Sequence, residues 1–88
     1  MNEYILAVFS VRSSTMQFSM LLNKNGVKSV VVETPKAIAA SCGISVRFDI
    51  KNLQPAKEIL KRYNLRYFVR FYRVSNFYGK LTFLPIAV

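Results

Sequence analysis

Strand-like and helix-like segments follow one another along this chain in an order that few small folds accommodate. Short β-branched or alternating runs predict strands at Tyr4–Phe9, Val27–Glu33, Ile44–Ile50 and Arg66–Val74. Helical patterns over residues 14–25 and 53–63 fill the first and the third gap between these strands. The order predicts an α+β fold of the ferredoxin-like βαββαβ type, an antiparallel sheet with two helices on one face.

Polar residues, glycine and proline mark the ends of these segments. Ser14 and Gln17 have the spacing of a capping box, which predicts that the first helix begins at Ser14. Gly26 suits the left-handed residue that ends such a helix. Pro35 is predicted to open a short helix over Lys36–Ala40, because the first helical turn does not need the N–H group that proline lacks.

The C-terminal part of the chain adds one more predicted element. After a turn at Ser75–Gly79, Leu81–Ile86 is predicted as a short strand, and Pro85 confines it to the edge of the sheet. A chain of 88 residues suits one small domain. We therefore expect a single domain over residues 1–88, with a core at 3–74 and a C-terminal hairpin or tail strand at 75–88.

The first strand is apolar on both of its faces. Ile5, Ala7 and Phe9 alternate with Tyr4, Leu6 and Val8. Two helices on one face of the sheet leave the other face open, and an open apolar face is usually covered by another molecule. We therefore expect a homodimer, or a partner protein docked on this face.

Composition disfavours most enzyme classes. The chain has 13 basic and 4 acidic residues, a net charge of +9, and no histidine, which removes the usual proton shuttle and the commonest metal ligand. The single cysteine, Cys42, excludes an intrachain disulfide, a zinc cluster and a CxxC redox pair. We expect no metal and no cofactor, and a carrier or binding module rather than a turnover enzyme.

The N-terminal segment carries no sign of export. Glu3 stands where a secretory signal has basic residues, and no apolar run approaches the roughly 20 residues of a membrane helix. A free thiol suits a reducing compartment. We expect a cytoplasmic protein that does not contact a membrane.

The predicted topology brings the cysteine to a basic edge of the sheet. The connection at Thr34–Gly43 should lie beside the turn that leads into the first helix, where unpaired helix N–H groups are exposed. Lys61, Arg62 and Arg66 should reach the same edge. Such surroundings activate a thiol, but a lone cysteine is also often a small buried hydrophobe. The residues alone leave both interpretations of Cys42 open.

The run from Thr34 to Phe48, with Pro35 and Ser41-Cys42-Gly43 at its centre, resembles the core motif of the selenium/sulfur carrier-like family of small bacterial proteins. Tyr4–Phe9 and Ser13-Ser14-Thr15 are similar to the opening of that pattern, and the resemblance covers about residues 1–60. Lys36 stands where the family is expected to have arginine. Lysine keeps the positive charge but lacks the guanidinium group that binds an anion through two parallel hydrogen bonds.

The resemblance implies a carrier that holds sulfur or selenium on Cys42 as a persulfide or selenopersulfide. It would pass the atom from a donor protein to an acceptor protein. The resemblance also implies a set of groups that stabilise the carried anion, with Thr34 and Pro35 forming the turn. Those groups are Arg12, Ser13, Ser14, Lys36, Ser41, Gly43 and Arg47.

The basic, aromatic C-terminal part supports an alternative function. Residues 51–80 hold eight basic residues and one acid, and strand periodicity places Arg66, Phe68, Arg70 and Tyr72 on one face. Interleaved arginine and aromatic side chains are typical of nucleic-acid-binding surfaces. Lys61, Arg62, Arg66 and Arg70 would then dock nucleic acid, or an acidic protein partner of the carrier. A non-catalytic dimeric interaction or regulatory protein, with an inert Cys42, is the third interpretation.

Overall fold

The computed structural model describes residues 2–38 and 42–87. Its elements are β1 (Asn2–Phe9), α1 (Arg12–Lys24), β2 (Ser29–Glu33), β3 (Ile44–Asp49), α2 (Leu53–Arg62), β4 (Phe68–Phe77) and β5 (Lys80–Ile86), with a 3-10 turn at Ile50–Asn52. The strands form one antiparallel sheet in the order β2-β3-β1-β4-β5. The predicted α+β class, with an antiparallel sheet and two helices, is confirmed. Neither helix of the described ranges has the length and apolarity needed to cross a bilayer.

The helices and one face of the sheet enclose the main core. Alternation along β1 sends Ile5, Ala7 and Phe9 to this face, where all three are fully buried. Phenylalanines from five positions meet there with ring centroids 4.8–6.5 Å apart, at the tilted or edge-on angles that aromatic pairs prefer. These residues are Phe9, Phe18, Phe48, Phe68 and Phe71.

A bulge at the start of β4 overturns one prediction about its faces. Val8 pairs with Arg70 but Phe9 pairs with Phe68, so the register shifts by one residue between them. The shift turns Phe68 toward the main core. Arg70 pairs with Val8, whose side chain lies on the other face of the sheet. The predicted face shared by Arg66, Phe68, Arg70 and Tyr72 is therefore wrong, because strict alternation does not hold across a bulge.

Several element ends differ from their predictions. α1 begins at Arg12 after Val11, which makes no side-chain cap, and the predicted capping box is absent because Ser14 lies inside the first turn. The predicted helix over Lys36–Ala40 is a turn at 36–37 in its described part, closed by the Ile38 N–H and the Pro35 carbonyl at 2.9 Å. Ala39 and Ala40 lie outside the described residues.

The β4–β5 hairpin is longer and tighter than predicted. β4 extends to Phe77, and the turn consists of two residues, Tyr78 and Gly79, with φ values of 53° and 80°. Two positive φ values are the mark of a type I′ hairpin turn, which matches the twist of the flanking strands. The predicted turn at Ser75–Gly79 therefore shrinks to its last two residues.

The other face of the sheet carries a smaller apolar cluster. Leu6, Val8 and Val74 are buried there, and Ile38 from the connection between β2 and β3 packs against them with 5% of its surface exposed. The chain itself thus covers part of the face for which we expected a partner.

Candidate functional site

Cys42 lies two residues before the start of β3, and its thiol reaches the end of β1. The Sγ atom is 2.9 Å from the carbonyl oxygen of Phe9 and 3.1 Å from that of Ile44, so the thiol donates its hydrogen to main-chain acceptors. The residue is partly buried. The connection after β2 and the end of β1 are therefore neighbours, as the sequence predicted.

The first turn of α1 forms the other wall of the site. The Thr15 hydroxyl is 3.6 Å from Cys42 Sγ, and Thr15 is fully buried. An α-helix gives the amides of its first residues no intrahelical partner, and its N-terminus carries a partial positive charge. No acidic residue lies in the first turn of this 13-residue helix to offset that charge. The sulfur therefore lies at the positive end of α1.

Hydrogen bonds from Thr34 hold the connection that carries Cys42. The Thr34 N–H donates to the Gly43 carbonyl at 2.9 Å, and the Thr34 and Ser45 hydroxyls are 2.6 Å apart. Gly43 has a φ of 75°, a conformation that favours glycine. Thr34 therefore fixes the residues that directly follow the cysteine.

The predicted anion-stabilising residues are only partly brought together. Arg12 and Ser13 lie exposed in the first turn of α1, and Ser14 is buried beside them. Lys36 is exposed on the turn after β2. Ser41 lies outside the described residues.

Arg47 lies away from the thiol. Its guanidinium carbon is 4.0 Å from the centre of the Tyr4 ring, in a cation–π contact. Both side chains line a cavity of about 390 Å³ with Lys28. Tyr4 is five residues before Phe9 on β1, roughly 16 Å at about 3.3 Å per residue. The structure therefore does not bring Arg47 to Cys42.

The end of α2 is also remote from the cysteine. Arg62 lines a cavity of about 210 Å³ with Asn25 and Val27, which follow the C-terminal end of α1. A hydrogen bond from Asn25, with Lys24 and Arg62 nearby, lowers the pKa of Tyr63 below its ordinary value. A helix of 13 residues spans about 20 Å. Arg62 therefore lies near the end of α1 that is opposite to Cys42. Lys61 belongs to the same last turn of α2.

Arg66 lies closer to the site than Arg62 does. The Ser10 N–H donates to the Tyr67 carbonyl at 2.9 Å, and the carbonyl of the same peptide unit, that of Phe9, accepts from Cys42. A trans peptide points these two groups in opposite directions. The segment at Arg66 and Tyr67 therefore flanks the end of β1 on the side away from Cys42. Arg70 follows on β4, with its guanidinium carbon 6.0 Å from the Tyr72 ring centre.

Two residues of the site escaped the sequence predictions. The sequence marks Thr15 only as part of the Ser13-Ser14-Thr15 run and does not indicate its contact with the sulfur. The sequence does not distinguish Ile38 from its neighbours in the run from Thr34 to Phe48, because its packing on the sheet is a tertiary contact. Within the described ranges, no cluster of three Cys, Asp or Glu side chains could hold a metal ion.

Comparison with known proteins gives one match. A family model described as "Putative Se/S carrier protein-like" matches residues 4–69. The matched part runs from β1 through Cys42 to the first residues of β4. Searches of curated proteins and of solved structures gave no match.

Proposed function

We propose that this chain, which belongs to the selenium/sulfur carrier-like family, holds a sulfur or selenium atom on Cys42 and passes it between partner proteins. The observation that carries the proposal is the place of the only thiol, partly exposed at the N-terminal turn of α1. Helix N-termini and nearby cations favour anionic sulfur. We further propose that the domain spans residues 1–88, has a ferredoxin-like fold with an added edge strand, and works in the cytoplasm.

The proposed transfer needs no external oxidant. The Cys42 thiolate attacks the outer sulfur of a donor persulfide, so that a bond from Sγ to that sulfur forms. The S–S bond of the donor breaks, and the donor leaves as a thiolate that takes up the proton lost by Cys42. Delivery repeats the step, with an acceptor thiolate attacking the outer sulfur and Cys42 as the leaving group.

The surroundings of Sγ suit two states of the site. In the resting state the Phe9 and Ile44 carbonyl oxygens accept the hydrogen of the thiol. In the loaded state the charge resides on the outer sulfur, which can extend toward the first turn of α1. We propose that this charge is stabilised by Arg12, the amides of Ser13 and Ser14, and Lys36. A helix N-terminus contributes about 0.3–1 kcal/mol at exposed sites and up to about 2 kcal/mol at partly buried ones.

Partner recognition is assigned to the basic side chains. Among the described residues the only salt bridge joins Arg73 to Glu3, so no other described basic side chain is paired with a described carboxylate. We propose that Arg66 and Arg70 dock an acidic protein near the thiol, and that Lys61 and Arg62 form a separate basic patch. The bulge in β4 argues against a nucleic-acid platform, because it removes Phe68 from the exposed face. A homodimer remains a proposal for the part of the open face that Ile38 leaves uncovered.

The rate of loading tests the proposal with a matched pair of variants. The chain is incubated with a cysteine desulfurase and L-cysteine, and the gain of one sulfur atom is followed by intact mass. Arg12→Gln should load about two- to fivefold more slowly, because it removes one cation beside the helix N-terminus. Arg47→Gln removes the same charge far from Cys42 and should load at the wild-type rate. Equal rates for the two variants would contradict the assigned role of Arg12.

A further inference from the structure

The Thr15 hydroxyl has one hydrogen and two acceptors within reach. Its Oγ1 atom is 3.2 Å from the Val11 carbonyl oxygen and 3.6 Å from Cys42 Sγ. Thr15 is fully buried, so water does not compete for this hydrogen. The hydroxyl therefore serves either the helix or the sulfur at any one time.

Leaving the Val11 carbonyl does not deprive that carbonyl of a donor. The Thr15 N–H also donates to the Val11 oxygen, at 3.2 Å. A buried acceptor without any donor would cost about 1–3 kcal/mol, and this amide removes that cost. The hydroxyl can turn about its Cβ–Oγ1 bond with little loss to the helix.

The sulfur needs a donor only in some of its chemical states. The protonated thiol satisfies itself by donating to the Phe9 carbonyl at 2.9 Å. A thiolate, or the inner sulfur of a persulfide, has no hydrogen and cannot donate to the Phe9 and Ile44 oxygens. Thr15 is the hydroxyl within hydrogen-bonding distance of Sγ among the described residues.

We propose that Thr15 is a positioning residue whose hydroxyl turns from the Val11 carbonyl to Cys42 Sγ when the sulfur loses its hydrogen. The movement is a rotation of one O–H group, and no covalent bond forms or breaks. The loaded-state part of this inference rests on the proposed carrier function. The thiolate part does not, because every cysteine thiol forms a thiolate at sufficiently high pH.

Alkylation of Cys42 by iodoacetamide across neutral and alkaline pH tests the thiolate part. Thr15→Val removes the hydroxyl and keeps the shape, and Thr15→Ser keeps the hydroxyl. We expect alkylation at neutral pH to be about fivefold slower in Thr15→Val, the effect of one modest hydrogen bond, and close to wild type in Thr15→Ser. At strongly alkaline pH the three rates should converge, because all three thiols are then ionised.

A purely structural role of Thr15 would change the rate by the same factor at every pH, and that result would overturn the proposal. So would equal rates in the wild type and Thr15→Val. If Thr15→Val does not fold, as judged by circular dichroism, Thr15→Ala takes its place with the same expected profile.

Persulfide lifetime separates this inference from the proposed function. After loading with inorganic polysulfide, the persulfide should be lost faster from Thr15→Val than from Thr15→Ser. A shifted alkylation profile with no persulfide on the wild type would support the role of Thr15 and contradict the carrier function. Persulfides of equal lifetime with unshifted profiles would support the carrier function and overturn the role of Thr15.

Discussion

Replacement of Ile38 by alanine should loosen the connection that carries Cys42. Ile38 is 5% exposed and packs with Leu6, Val8 and Val74 on the face of the sheet that the helices leave open. Core isoleucine-to-alanine changes cost about 2–5 kcal/mol, depending on how far the site can collapse. The cluster is small and can collapse around a smaller side chain, so we expect the low end, about 2–3 kcal/mol.

Thermal unfolding and thiol alkylation measure this effect together. For a domain of this size, 1 kcal/mol shifts Tm by roughly 4–8 °C, so Ile38→Ala should unfold about 10–20 °C below the wild type. Alkylation of Cys42 under native conditions should accelerate, because local opening of the connection exposes the sulfur. Val30→Ala is the control, since Val30 on β2 is 53% exposed; it should change stability by less than about 0.5 kcal/mol.

Equal Tm values for Ile38→Ala and Val30→Ala would refute this reasoning. They would mean that Ile38 does not contribute to stability by packing on the sheet. A lower Tm without faster alkylation would mean that Ile38 stabilises the sheet but does not hold Cys42 in place.

Three further substitutions test local features of the fold. Gly43→Ala should lower stability by about 1–2 kcal/mol in urea unfolding, because φ is 75° while the added Cβ meets no atom within 4 Å; an unchanged midpoint would contradict the left-handed conformation. Tyr78→Asn should raise Tm, because asparagine suits the first position of the type I′ turn and the Tyr78 side chain is 95% exposed. A lower Tm would show that the ring contact between Tyr78 and Phe77 outweighs the turn preference. Glu3→Gln should destabilise the fold at neutral pH. It should have no such effect at a pH well below the ordinary pKa of a carboxyl group. Hydrogen bonding from Arg73 lowers the pKa of Glu3 below its ordinary value of 4.5. The stability that the Glu3 carboxylate contributes is therefore complete above pH 4.5 and is lost as the pH falls through the lowered pKa. A difference in urea unfolding that does not change with pH would contradict that pairing.

Patterns within single segments were predictable from the sequence. The alternation from Ile44 to Ile50 placed Val46 and Phe48 on one face, and both are buried in the helical core. The two-sided apolar pattern of Tyr4–Phe9 predicted a strand buried on both faces, and residues 5–9 are buried. Local patterns succeed here because the period of two is a property of the strand itself.

Three features that depend on how segments meet were not predictable. The bulge opposite Phe9 is a matter of register between two strands, and nothing in the sequence of β4 marks it. The spacing of Ser14 and Gln17 predicts a helix start at Ser14, whereas α1 begins at Arg12 and tertiary packing buries Ser14. The remote position of Arg62 depends on the direction in which α2 crosses α1, which helical periodicity does not encode.

The proposed carrier function requires Cys42 to take up one sulfur atom in a form that a thiol can remove. Intact mass of the chain after reaction with a cysteine desulfurase and L-cysteine, before and after addition of a thiol reductant, tests it directly. We expect a gain of one sulfur on the wild type, its loss on reduction, and no gain on Cys42→Ser. An unchanged wild-type mass, or a gain that reduction does not remove, would contradict it.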